Sequence, residues 1–325
     1  VAETTLCTCI EAGGLEEQVM LLAESLRAFG GRYADLPFVA VRPRAGPRLA
    51  ATTRRTLARL NIELVEKPLN ADFAWWAHAN KPATVDHVER HATTPNVTWM
   101  DGDMAVLAEP LGFAPPQGYD FIARAGEAYD VASSGTDDRA DFWERLCAVF
   151  DLDFAAFPMI TSFPDDKPIR AYWQTGLFTY RRGLGYAARY HAIMTKMLAG
   201  SIASKNAGVY HTDQVAASLT VQAMKLRYAE YDPRMNFNVN PADRLASLRI
   251  PITDVRIMHY HGALWPEDYG WAQTVIDPLA ADRKALIARY APFQGGGGLL
   301  KLQRKLWSKA RAPRIKAYEA RVVRY

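Results

Sequence analysis

Cysteine is scarce in this chain, with only Cys7, Cys9 and Cys147 among 325 residues. Three are too few for a disulfide framework, and the Cys7–Cys9 spacing does not suit a Cys-x-x-Cys metal or redox pair. The expected compartment is a reducing cytosol, so the localisation read here is cytoplasmic. No apolar run approaches the length needed to cross a bilayer. No leader-like segment precedes Val1, which reads as the start left when a short upstream piece is removed. Gly-x-Gly-x-x-Gly is missing after the first predicted strand, where Glu11-Ala12-Gly13-Gly14 stands instead. That argues against a dinucleotide-binding domain, and the lack of Gly-x-x-x-x-Gly-Lys-Ser/Thr argues against a P-loop NTPase.

The body of the chain also lacks an excess of positive charge. The net charge is +4, but residues 299–325 hold nine Lys/Arg against one Glu, a local +8, which leaves −4 on the preceding residues. The basic character belongs to a tail. No nucleic-acid recognition module accompanies it, so nucleic acid is not an expected partner. At 49% hydrophobic and 23% charged, the composition is that of a globular chain able to bury a substantial core.

Strand and helix patterns alternate through the first half. Strands are expected at Thr4–Ile10, Pro37–Arg42, Ile62–Val65 and Val97–Met100, with helices at Leu15–Phe29, Thr52–Leu60 and Lys81–His91. Such alternation predicts a parallel sheet covered by helices, with ligands bound beyond the carboxyl ends of the strands. Further on, the pattern predicts a strand at Asp120–Arg124, a helix at Asp138–Phe150 and an aromatic strand pair over Ile169–Arg181. Helices at Gly185–Ala199 and Asp213–Ala223, a strand at Asp254–Tyr260 and a helix at Pro278–Tyr290 follow. The expected organisation is a catalytic domain over 1–290, a glycine-rich hinge over 291–298 and a basic helical tail over 299–325.

The central feature is Val97-Thr98-Trp99-Met100 running into Asp101-Gly102-Asp103. Residues i and i+2 of a strand point the same way, so both carboxylates can reach one divalent cation. His259 and His261 share one face of a strand end, where either imidazole can complete a metal site. Gln174-Thr175-Gly176 interrupts an aromatic strand with a polar, glycine-ended break, suited to a sugar or to a bulge alone. His211-Thr212-Asp213-Gln214 opens a helix, with Thr212 or Asp213 able to cap it. Asn80-Lys81-Pro82 opens another, and Lys81 is placed to neutralise a phosphate. His87 and His91 lie four apart, but without His-Glu-x-x-His they read as an exposed helix face.

Taken in order, these motifs resemble those of a nucleotide-sugar glycosyltransferase of the glycosyltransferase-A fold, family 8 most closely. The matching residues are Asn80-Lys81, Trp99 to Asp103, Gln174-Thr175-Gly176, Asp213-Gln214 and His259-Tyr260-His261-Gly262. The resemblance implies an α/β, Rossmann-like fold with a mixed, mostly parallel central sheet flanked by helices, and here a C-terminal helical tail. It implies Mn²⁺ (or Mg²⁺) held by Asp101, Asp103 and His259 on the diphosphate of a nucleotide-sugar donor, a UDP-sugar first. It implies donor contact by Lys81, a base cradled by Thr8 and Glu11, and Asp213 and Gln214 as catalytic residues beside the transferred sugar. Gln174, Thr175, Gly176, His261 and Gly262 would line the substrate, and transfer would retain anomeric configuration. The acceptor is not specified; a glycan or a lipid-linked sugar fits, the latter with the tail resting on the inner face of a membrane.

There are two departures. Gln174 stands where the family has Asn, carrying its amide about 1.5 Å further, one carbon–carbon bond. Trp265 stands where the last motif has lysine, which removes a positive charge expected at the diphosphate. A degenerate fold that binds sugar nucleotides without turnover is therefore a second reading. A haloacid-dehalogenase-type phosphatase is a third, since it also carries Asp-x-Asp at a strand end.

Overall fold

A computed structural model describes residues 2–129, 131–205, 208–240 and 249–325. Its strands are β1 (Thr4–Cys9), β2 (Phe38–Arg42), β3 (Glu63–Glu66), β4 (Asn96–Met100), β5 (Met104–Val106), β6 (Phe121–Ala125), β7 (Met159–Thr161), β8 (Pro168–Arg170), β9 (Trp173–Arg181), β10 (Ile202–Ala203), β11 (Tyr228–Glu230), β12 (Phe237–Asn238), β13 (Ile257–His259) and β14 (Val323–Arg324). The helices are α1 (Gly14–Phe29), α2 (Ala51–Arg59), α3 (Asn80–His91), α4 (Ala140–Val149), α5 (Tyr186–Gly200), α6 (Thr212–Ala223), α7 (Tyr269–Ile276), α8 (Ala281–Tyr290) and α9 (Gly298–Glu319).

The main sheet has the order β11-β6-β9-β4-β1-β2-β3. Strands β1 to β4 pair in parallel, as do β11 and β6, while β9 runs antiparallel to both β4 and β6. β1 and β4 are buried at every position, as expected of strands covered on both faces and built from continuous apolar and threonine runs. Side-chain alternation divides β1 between two cores. Cys7 and Cys9 face the layer of α3, α5 and α6, and Leu6 faces the layer of α1 and α2.

A smaller sheet, β12-β13-β5, positions the site. β5 follows Asp103 directly and pairs antiparallel with β13, opposing Met104 to His259. That pairing brings residues 155 positions apart to one point, a contact that local periodicity does not encode.

Several boundaries differ from the sequence expectation. Ile169–Arg181 is not a strand pair: β8 pairs with β7, and β9 enters the main sheet alone. Its aromatic run lies within one strand buried on both faces. The expected Asp254–Tyr260 strand is only Ile257–His259, because Ile252–Asp254 winds into a 3₁₀ turn after Pro251. Helix α7 and the short strands β5, β7, β10, β11, β12 and β14 were not expected, being too short to show periodicity. The glycine-rich stretch is tied down at one point, with Gln294 and Gly295 both donating N–H to Glu17. Helix α9 is largely exposed, anchored where Tyr318 is buried against Trp75 and where β14 pairs with β10.

Candidate active site

A cavity of about 670 Å³ opens at the carboxyl ends of β1 and β4, where a sheet of this topology leaves room for a ligand. Asp101, Gly102 and Asp103 form its floor, with His259 and His261 on one side and His78, Lys81, Asp213 and Gln214 on the other. Asp101 is fixed by the backbone and by its neighbour: its N–H donates to Gly176 O at 2.8 Å, and Trp99 Nε1 donates to its Oδ1 at 2.7 Å.

Lys81, the second residue of α3, reaches under the sheet to meet two carboxylates. Its Nζ lies 3.1 Å from Asp101 Oδ1 and 2.7 Å from Asp213 Oδ2, and donates to Thr175 O at 3.0 Å. Lys81 and Asp213 are both buried. Desolvation works against both charges, but the pairing prevails: the two carboxylates hold the ammonium above its usual range. Lys81 and His78 in turn hold Asp213 below the usual carboxylate range. Asp101 goes the other way, raised by burial and by Asp103 despite Lys81 and His259. Two carboxylates crowded together cannot both ionise cheaply without a cation between them.

On the opposite wall His259 Nε2 lies 3.2 Å from Asp103 Oδ1 and 3.9 Å from Asp101 Oδ2. His261 stacks on His259 with ring centroids 3.8 Å apart, its Nδ1 4.0 Å from Asp103 Oδ2. Burial and the neighbouring His259 push the His261 imidazole down to about 3, so it is neutral at ordinary pH. Its backbone sits at φ +46°, a left-handed conformation that a non-glycine residue adopts at some cost. Asp103, His259 and His261 each offer a ligand atom within 4.8 Å of the others. Ligands about 2.0–2.2 Å from one ion lie roughly 3 to 4.4 Å from each other, and the 3.2 and 4.0 Å from Asp103 to the two imidazoles fall in that range.

Gly176 makes room for this wall. A Cβ there would lie 2.5 Å from His259 Cε1 and 2.9 Å from Met104 Cε. Gly176→Ala is expected to push the imidazole aside, lower the melting temperature by the equivalent of about 1–3 kcal/mol and weaken divalent-ion binding. Thermal denaturation and a Mn²⁺ titration check both; a wild-type profile in each would show that the wall has slack.

The remaining expected residues fall in different places. Glu11 lines the cavity, held by Arg44 at 2.5 and 2.8 Å and by Asn80 at 2.8 Å. Thr8 is fully buried and outside the lining, because alternation along β1 points it away from Cys9. Gln174 lines the cavity, but its Oε1 accepts from Gly176 N at 2.6 Å and Asn236 Nδ2 at 2.7 Å. It braces the wall instead of offering that oxygen to a sugar, on a bulge where β6 skips from Phe178 to Gln174. Thr175 lies behind Lys81, accepting at Oγ1 at 3.2 Å. Gln214 Oε1 is buried with no partner, while its Nε2 lies 3.1 Å from His211 Nδ1. Gly262 is exposed, with open space where a Cβ would be. The His87 and His91 pair is only half an exposed face: His91 is exposed, its Nδ1 2.7 Å from His87 O, whereas His87 is buried. Trp265 packs over the start of α1, where a Cβ on Gly14 would meet its ring at 2.3 Å. Sequence reasoning missed His78, Asn236 and the Glu127–Asn238 pair, which sit in no motif and enter the site only through the fold.

Residues 6–225 match the family described as the Rhodobacterales glycosyltransferase domain, more than half of the chain. The chain belongs to that family. The phosphatase reading falls away, and the expected glycosyltransferase-A type, with its mixed, mostly parallel sheet flanked by helices, stands. No curated protein matches this glycosyltransferase in sequence. Among solved structures it is similar to the galactosyltransferase LgtC in complex with donor and acceptor sugar analogs, at 12% identity over 92% of this chain and 100% of that one, TM-score 0.47. It is similar to mouse xyloside xylosyltransferase 1 at 12% identity over 80% and 98%, TM-score 0.46. It is also similar to GlyE of Streptococcus pneumoniae TIGR4 at 11% identity over 88% and 63%, TM-score 0.49. Likenesses this remote carry no residue roles.

Proposed function

We propose that this glycosyltransferase moves a sugar from a nucleoside-diphosphate donor to an acceptor, a UDP-sugar being the first donor to test. The observation that carries the reading is the convergence of Asp103 and His259, 156 positions apart, beside the Lys81–Asp213 pair in one cavity. Mn²⁺ (or Mg²⁺) would be held by Asp101, Asp103 and His259, with His261 as a further donor. Two imidazoles favour Mn²⁺ over Mg²⁺. When bound, the cation supplies charge neutralisation on the departing diphosphate. His259 is prepared for this duty by Asn236, whose Oδ1 lies 3.2 Å from Nδ1. A proton placed there leaves Nε2 with a free lone pair, the usual support of a metal-binding histidine.

The chain's own groups do the rest. Lys81 keeps its charge across the ordinary pH range and offers it to the donor, covering part of the role of the lysine replaced by Trp265. Asp213, held by Lys81 and His78, is too acidic to remove a proton from an acceptor, and suits accepting a hydrogen bond from a sugar hydroxyl. That supports retention of configuration, because this carboxylate is a poor general base. Gln214 lines the same cavity, and a turn of its side chain would bring the unpartnered Oε1 to a second hydroxyl. Leu299, Leu302 and Leu306 form an exposed stripe on α9 and suit peripheral contact with the inner face of a membrane near a lipid-linked acceptor.

Thermal denaturation with UDP and UDP-sugars, with and without Mn²⁺, tests the reading. A nucleotide at about one hundred times its Kd stabilises the fold by about 2.7 kcal/mol, so a rise of several degrees is expected only when both are present. Stabilisation without sugar transfer or donor hydrolysis would favour the binding-only alternative. No shift with any nucleotide would remove the donor assignment altogether.

A further inference from the structure

A second cavity, of about 390 Å³, opens beside the first and shares Glu11 as a wall. It forms where α9 crosses the end of β2 and the loop after it, and six cations line it: Arg42, Arg44, Lys301, Arg304, Lys305 and Arg311. The one carboxylate in the lining, Glu11, is already neutralised by Arg44, whose side chain is 9% exposed. Arg42 is held by Glu66 at 2.8 Å, and Arg311 donates to Ala45 O at 2.6 Å. Among the described residues no carboxylate lies within ion-pair distance of Lys301, Arg304 or Lys305. The tail thus returns to an acidic body and sets its charges against two arginines.

This gathering of like charges is unfavourable by itself. Burial and the nearby Arg44 hold the Arg311 guanidinium below its usual range. Arg304 adds to the imbalance, for its Nη1 would lie 2.7 Å from a Cβ on Gly13, the N-cap of α1. A cation therefore rests on the positive end of a helix. The acids of that first turn cannot answer it fully. Glu16 accepts from the N–H groups of Gly13 and Ala50, and Glu17 from those of Gln294 and Gly295. Four guanidinium groups and two ammonium groups around a recess, with the Ser308 hydroxyl on its edge, have the chemistry that recognises phosphate.

We propose that this recess binds a phosphate or pyrophosphate group without a metal, giving the glycosyltransferase a second anion subsite next to its donor cavity. The proposal depends on the function above only in taking the larger cavity as the donor's. The ligand is a phosphate-bearing molecule, either soluble or a lipid headgroup, and α9 supplies half of the site. Lys301, Arg304, Lys305 and Ser308 share one helix face by their spacing, and Leu299, Leu302 and Leu306 lie on the opposite face.

Calorimetry of the full chain with inorganic pyrophosphate in EDTA isolates this recess, since the aspartate site cannot hold the probe without a cation. One pyrophosphate per chain is expected, with affinity at least tenfold weaker in Lys301→Ala/Arg304→Ala/Lys305→Ala and unchanged in Asp103→Ala. Lys305→Glu, at an exposed position, serves if the triple variant melts early. Displacement of the wild type from phosphatidylglycerol vesicles by pyrophosphate would identify a headgroup as the source, and absence of vesicle binding a soluble ligand. No pyrophosphate binding in EDTA, or equal binding by the folded variants, would overturn the proposal. Mn²⁺-dependent UDP binding by the triple variant reports separately on the donor site, so the two readings fail independently.

Discussion

Asp103→Ala is expected to abolish measurable Mn²⁺ binding and to lower sugar transfer by about 10³-fold, while the protein stays folded. Asp103 is the point at which both imidazoles meet, 3.2 Å from one ring nitrogen and 4.0 Å from the other. Its removal leaves the cation one carboxylate beside the imidazoles, that of Asp101, which Lys81 and Trp99 already hold. Loss of one fixed charge stabiliser in an enzyme site typically costs about 10²–10³ in rate, and loss of the metal adds to that. The fold should tolerate the change, because the Asp103 side chain lies at the cavity floor, a quarter exposed, and not in the apolar core. A Mn²⁺ titration beside a denaturation curve settles the point. Metal binding at wild-type affinity would mean that the cation sits elsewhere.

Lys81→Met is expected to damage stability and activity together. It removes the single cation between Asp101 and Asp213 and leaves Asp213 buried without its partner at 2.7 Å. Breaking a buried pair from one side costs about 3–5 kcal/mol. The pH dependence separates this from a simple packing defect. In the wild type Asp213 is held below the ordinary carboxylate value, so its contribution is complete above about pH 4 and is lost as pH falls further. Lys81 is raised, so its contribution is complete below about pH 10 and fades only at still higher pH. Without the lysine, both carboxylates should titrate at higher pH. The deficit of the variant should then shrink as pH drops from about 7 to 5. A stability gap that stayed constant across that range would show that the pair matters through shape and not through charge.

The parts of the site that the sequence revealed are those whose chemistry lies within one segment. Asp101-Gly102-Asp103 is readable because a strand period of two fixes where its carboxylates point. Lys81 and Asp213 stand at helix starts, positions that point inward in a layered α/β fold. His259 follows a short apolar run. Thr8 and His87 were misjudged for one shared reason: local spacing gives the face of an element and not what covers that face. Gln174 was read as a sugar ligand because its residue type suits one. Only the bulge in β9 and the facing Asn236 turn its oxygen inward.

From its order of residues alone the chain determines its alternating strands and helices, the acidic pair at the end of β4 and the polar helix starts that surround it. These depend on periods of two and 3.6, which short stretches carry complete. The folded chain decided that His261 joins His259 beside Asp103, that Asn236 stands behind them and that α9 turns its basic face onto β2. Those contacts join segments 23 to 266 positions apart, and no local rule of spacing sets them; they follow from how apolar surfaces close over one another.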